Sequence, residues 1–206
     1  ADDWINGHQF RWIVIFGHYL GPLQFISRAM RKLKNVSFKE FYSSILEYAK
    51  NNSQSFIGKE YKNIKYNLDT ILENKRHWGD LISGAGNINW EVDEATCIRL
   101  VKNRDLFYKE IRNYLINKYD LKSEILDCII DYQKIRLNHP FISYPIKKEF
   151  KYNIHEVIEN NAKLKKVNNF VFVKAEKYGD LYEWAKHTLW FGRRIARYKT
   201  TVIDHY

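Results

Sequence analysis

From Phe10 to Leu33 the apolar residues Ile13, Phe16, Leu20, Leu23, Ile26, Met30 and Leu33 recur at intervals of three and four, the period of a helix that buries one face. Pro22 falls inside this series. Proline lacks the amide that a helix interior needs and fits a first turn, so the stretch either kinks there or starts a second helix at Gly21-Pro22. In NVSFKEFYSSILEYAK, Ser37 precedes Glu40 by three residues, a capping box ahead of Phe41, Ile45 and Tyr48. A third helix is predicted from about Phe56 to His77, with Tyr61, Ile64, Leu68, Ile71 and Leu72 as its inner stripe. Three glycines in WGDLISGAGNINWE break the pattern. Helices resume at about Val92 to Val101, Arg104 to Tyr119 and Ser123 to Leu137, the last stopping ahead of His139-Pro140.

After Pro145 the texture changes. IKKEFKYNI alternates apolar and polar residues, and NNFVFVKAEK is an aromatic and β-branched run bounded by asparagines, so both read as strands. HEVIENNAKLKK between them holds one or two helical turns, and GDLYEWAKHTLWFG reads as a helix closed by Gly192. The expected fold is mainly α: an irregular helical bundle over residues 1–140, with a small α+β appendage over residues 141–206 packed on it as one unit.

With 206 residues, 45% of them apolar, and only three prolines, the chain can enclose a substantial core and is no disordered segment. The longest apolar run, WIVIF at Trp12 to Phe16, is far too short to cross a bilayer, and no signal-peptide pattern is present. A cytoplasmic protein without a membrane span is expected. The chain opens ADDWINGHQF, and its one methionine, Met30, lies inside a predicted helix, so it is expected to be a domain excised from a longer protein. A net charge of +10 brings RNA or another polyanion into view as a partner, although the lysines are scattered among asparagines and tyrosines.

Little of the sequence has the spacing of known chemistry. Cys97 and Cys128 stand on different predicted helices with no CxxC or CxxxCxxC cluster, and are expected to be buried free thiols. SGAGN, Ser83 to Asn87, lacks the GK[ST] of a phosphate loop and the third glycine of a dinucleotide fingerprint, and reads as a turn between helices. Glu73 with His77, and Glu183 with His187, stand four apart, so each pair would share a helix face that a metal could use; surface pairing is the plainer outcome. His8 and His18 flank an aromatic helix and are expected to be hydrogen-bonded edge or core residues. No local spacing suggests a Ser–His–Asp or Cys–His set, so no catalytic residue is assigned.

TLWFGRRIARYKT carries a local excess of positive charge among aromatic residues. Arg193, Arg194, Arg197 and Lys199, with Lys186 upstream, are interleaved with Trp184, Trp190, Phe191 and Tyr198. Arginines among aromatic rings grip RNA or a phosphorylated ligand. They also dock a terminal helix through ion pairs and ring contacts. Adjacent side chains leave the backbone in divergent directions, so Arg194 is expected to be structural and Arg193 exposed.

Three blocks, HYLGPLQFISRAMRKLKNVSFKEFYSSI, NRDLFYKEIRNYL followed by ILDCIIDYQKIRL, and the terminal LWFGRRIARY, resemble the helical C-terminal region of cobalamin-binding radical SAM proteins. The resemblance covers most of the chain, through motifs that are packing patterns. It implies a fragment that follows the catalytic barrel, covering its mouth or helping to recognise substrate or partner, with upstream domains of the same polypeptide as its neighbours. It also implies an iron–sulfur cluster, S-adenosylmethionine and cobalamin in the whole protein, held by upstream motifs that this sequence does not contain.

Overall fold

The computed structural model describes residues 2–73, 75, 79–190 and 201–203, the side chains of Trp190 and residues 201–203 excepted. Helix α1 (Asp2–Val14) runs into a π-helical turn (Ile15–Tyr19), and a tight turn through Gly21-Pro22 leads to α2 (Gln24–Lys34). Pro22 thus separates two helices. The first begins well before Phe10, and the second starts two residues after the proline.

Ser37 accepts the Glu40 amide at 3.1 Å and opens α3 (Phe38–Asn51), as its spacing predicts. Helix α4 (Phe56–Leu72) ends short of the predicted His77. Ile71 and Leu72, expected on its inner stripe, are each 47% exposed, because the helix leaves the core in its last turn. The glycine-rich segment forms a hairpin of two-residue strands, β1 (Asp80–Leu81) and β2 (Asn89–Trp90). Helices α5 (Val92–Lys102), α6 (Arg104–Lys118) and α7 (Ser123–Arg136) follow.

Strand β3 (Ile146–Tyr152) pairs antiparallel with β4 (Lys166–Lys174), with α8 (Ile154–Asn160) in the connection, and β5 (Thr201–Ile203) lies on the far side of β4. Helix α9 (Leu181–Ala185) continues into a second π-helical turn (Lys186–Trp190). The strands' period of two is visible in their burial. Phe150, Tyr152, Val171 and Val173 face inward, the Phe150 ring 6.2 Å from Tyr132 on α7, while Lys147, Lys151 and Phe170 face out. One apolar core joins these strand residues to Phe16, Phe41, Ile98, Phe107 and Ile129 of the helices. The protein is mainly helical with a small antiparallel portion, and none of the described helices is long and apolar enough to cross a membrane.

Candidate functional site

The sequence blocks around Gly21-Pro22, Tyr108 and Gln133 meet at one place. The residue ahead of α2 is Leu23, whose side chain can cap nothing, so the first amides of that helix need acceptors from elsewhere. Gln133 on α7 supplies one. Its Oε1 accepts from the Phe25 amide at 2.9 Å and lies 3.4 Å from that of Ile26, while its Nε2 donates to the Gly21 carbonyl at 3.0 Å. Tyr108 on α6 donates to the Pro22 carbonyl at 3.0 Å. The turn needs a glycine at residue 21, where φ is 96°.

The other polar residues of these blocks are engaged in the same way. Glu110 accepts the Phe56 and Ile57 amides at 2.6 and 3.2 Å and so caps α4 from α6. Arg136 stacks over Phe25 at 4.4 Å and pairs with Glu159 at 3.0 Å, and Arg28 reaches the same carboxylate at 3.4 Å. The side chains that make these blocks recognisable hold helix ends and crossings together.

A second polar cluster lies between α4 and α5. Arg99 donates to both carboxylate oxygens of Glu60, at 2.7 and 2.6 Å, and to Asp80 at 2.7 Å. Thr96 Oγ1 stands 3.0 Å from Glu60 and accepts from Trp12 Nε1 at 3.2 Å. Glu60 is buried, and the bidentate guanidinium is what makes a charge there tolerable.

Two cavities open near α1. One, of about 270 Å³, lies between α1, α4 and the start of α5 and is lined by Arg11, Trp12, Ile64, Asn67 and Leu68 among others. The other, of about 280 Å³, is lined by Phe10, Val14, His18, Phe38, Lys39 and Tyr42. Here His18 Nδ1 lies 3.1 Å from the Tyr42 hydroxyl, which donates to Ser27, which donates to the Gln24 carbonyl. Burial, with Arg28 nearby, holds the His18 pKa below its ordinary value. The relay ends on a backbone carbonyl instead of a carboxylate, so it orients the imidazole without making it a stronger base.

Of the predicted anion-binding residues, Arg193, Arg194, Arg197 and Lys199 lie outside the described residues, as do Phe191, Gly192 and Tyr198, and so does the contrast drawn between Arg193 and Arg194. Trp190 ends the second π-helical turn. Trp184 is corrected: it is fully buried and donates to the Asn138 carbonyl at 2.8 Å, so it presents no face for stacking.

His77 also lies outside the described residues. Glu183 does not turn toward His187. Its carboxylate takes the Gly179 amide, and the His187 ring lies 6.2 Å from Tyr178. No group of three or more His, Cys, Asp and Glu able to hold a metal occurs among the described residues. SGAGN forms the tip of the β1–β2 hairpin instead of joining helices. Its Ala85 amide is taken by the Ile82 carbonyl, and the Ser83 carbonyl accepts from Lys102 at 2.9 Å. Cys97 is buried and free. Cys128 is free but only half-buried, because it faces the α7–β3 seam, and burial raises its pKa. The His8 ring lies 4.3 Å from that of Trp4, tilted by 48°.

Asn67, Gln133 and Glu60 are among the buried polar residues, and each had a signal in the sequence. Asn67 stands three after Ile64, Gln133 three after Ile130, and Glu60 three after Ile57, so each is a polar residue on an apolar helical stripe. No family model and no curated protein matches the chain.

Proposed function

We propose that this chain is a non-catalytic helical domain of a larger cobalamin-dependent radical SAM enzyme, which covers the barrel or helps to recognise substrate or partner. The observation that supports the reading is the meeting of residues 21–26, 108 and 133. Blocks whose bonded residues stand 86 to 112 positions apart, matched only as packing patterns, bond to one another, as motifs of one inherited fold should. The chain's own residues do not fit the iron–sulfur cluster of such an enzyme. It has two cysteines, on α5 and α7, where a cluster takes at least three thiolates. The cluster, S-adenosylmethionine and cobalamin would all belong to upstream domains. The test is the reading frame ahead of Ala1: a CxxxCxxC motif within a few hundred residues is expected, and its absence overturns the reading.

A second reading, from another class, is a basic module that binds single-stranded RNA or another polyanion. The outer face of β3–β4 favours it: Phe170 is 47% exposed, Lys147 Nζ stands 4.2 Å over its ring, and Lys151, Lys166 and Lys174 are exposed on the same two strands. On this reading the purified chain shifts single-stranded RNA at 50 mM salt with affinity falling steeply as salt rises. No shift at that salt removes it.

A further inference from the structure

The cavity of about 280 Å³ between α1, the π-helical turn after it and the start of α3 has a simple lining. Phe10, Val14, Phe38 and Tyr42 supply three aromatic side chains and one branched aliphatic one, and the half-buried His18 and the exposed Lys39 complete it. Its walls are held by the fold. Ser37 caps α3 and so fixes Phe38 as the first helical residue. A Cβ on Gly17 would stand 2.9 Å from Tyr42 Cε1 and 3.1 Å from Leu23 Cδ1, so a glycine in the π-helical turn is what lets the Tyr42 ring close against it. The Tyr42 hydroxyl gives its hydrogen to Ser27, which leaves His18 Nδ1 to donate to Tyr42 at 3.1 Å and fixes both rings.

The charges around the cavity all have one sign. Burial, followed by Arg28, lowers the His18 pKa, so the imidazole is neutral at pH 7. Lys39 is then the charge of the lining, and among the described residues it makes no ion pair. Arg31, also without an ion pair among those residues, holds its guanidinium 5.0 Å from the centre of the Phe38 ring and adds positive potential beside the same wall. None of the described residues that line the cavity carries a carboxylate. Glu40, next to Lys39 in the chain, acts on Tyr119, and Glu159 is taken by Arg28 and Arg136.

We propose that this cavity binds a small aromatic carboxylate, its ring among Phe10, Val14, Phe38 and Tyr42 and its carboxylate outside, toward Lys39. Aromatic walls receive a planar ring in offset or edge-on contact, which an alkyl chain cannot match. The volume is at the small end for ligand sites and suits one or two fused rings. A cation at the rim with no acid in the lining selects a negative head group over a neutral one. The proposal is independent of both readings of the chain's function given above.

The test is calorimetric titration of the purified chain with 3-phenylpropionate and indole-3-acetate, with 3-phenyl-1-propanol and octanoate as the neutral and aliphatic comparisons. At least one aromatic acid is expected to bind with a dissociation constant of about 1 mM or tighter, and the alcohol and octanoate more weakly. Amide shifts of the ¹⁵N-labelled chain should move at Phe10, Val14 and Phe38. Lys39→Gln should weaken the acid about fivefold and leave the alcohol unchanged. Val14→Phe, which fills the cavity, should abolish binding, and the amide shifts locate the site even if that variant does not fold. No binding of either acid at about 10 mM, octanoate or the alcohol binding as tightly as the acids, an undiminished affinity in Lys39→Gln, or amide shifts confined to other parts of the chain would each overturn the proposal.

Discussion

His139 should make the protein acid-sensitive well above the range in which carboxylates titrate. His139 is 1% exposed in the segment that follows α7, and Arg104, which has only donors, meets its Nε2 at 2.8 Å. Protonation would bury a second positive charge against the guanidinium, and burial followed by Arg104 holds the pKa down to about 3, against an ordinary 6.5. Asp105 opposes this only weakly. A pKa lowered by folding gives stability that is complete above 6.5 and lost as pH falls toward 3. At pH 5 the unfolded imidazole is one and a half units below its pKa and the folded one is still neutral, so at about 1.36 kcal/mol per unit the loss is about 2 kcal/mol. Urea unfolding at pH 7 and pH 5 measures it, with His139→Gln as the control, because Gln still offers Arg104 an acceptor and does not titrate. His18, also lowered, acts in both proteins and cancels. Wild type should lose about 2 kcal/mol more than the variant between the two pH values. Equal losses would refute the reasoning.

Replacing Gln133 by Leu leaves the Phe25 amide without its acceptor and the Gly21 carbonyl without its α7 donor, so denaturant melts should show a loss of about 2–4 kcal/mol. Arg99→Ala strands the buried Glu60 carboxylate and should cost about 3 kcal/mol or more by the same measurement. Arg99→Lys should recover only part of it, since an ammonium cannot meet both oxygens of Glu60 and Asp80 together.

Features that depend on neighbours in the chain were legible in the sequence. The Ser37 cap, the inward alternation of Phe150 and Tyr152, and the break at Pro22 each rest on residues within a few positions. The overrun of α4 shows the limit. Ile71 and Leu72 keep the helical period, but whether a stripe stays covered depends on what packs against it. The π-helical turn at Ile15–Tyr19 is invisible because a spacing of three or four absorbs one extra residue, and two-residue strands such as β1 and β2 have no period to detect. The start of α2 could be foreseen only loosely, since its cap comes from a residue about a hundred positions later. Asn67, Gln133 and Glu60 broke their stripes visibly, yet only burial distinguishes a broken stripe from an ordinary exposed residue.

The Gln133 bond also constrains the order in which the protein can be assembled. During synthesis α1 and α2 leave the ribosome long before α7 exists. Until Gln133 arrives, the Phe25 and Ile26 amides of α2 lack their acceptor, and the Gly21-Pro22 corner has at most one of its two long-range clasps, Tyr108. Helices α3 and α4 can cover α1 and α2 as they emerge, but the corner between α1 and α2 must wait, unclasped from α7, for more than a hundred residues of translation. Closure of that corner becomes a late event that reports completion of α7, and a chain truncated before residue 133 should remain a substrate for chaperones instead of a smaller native domain.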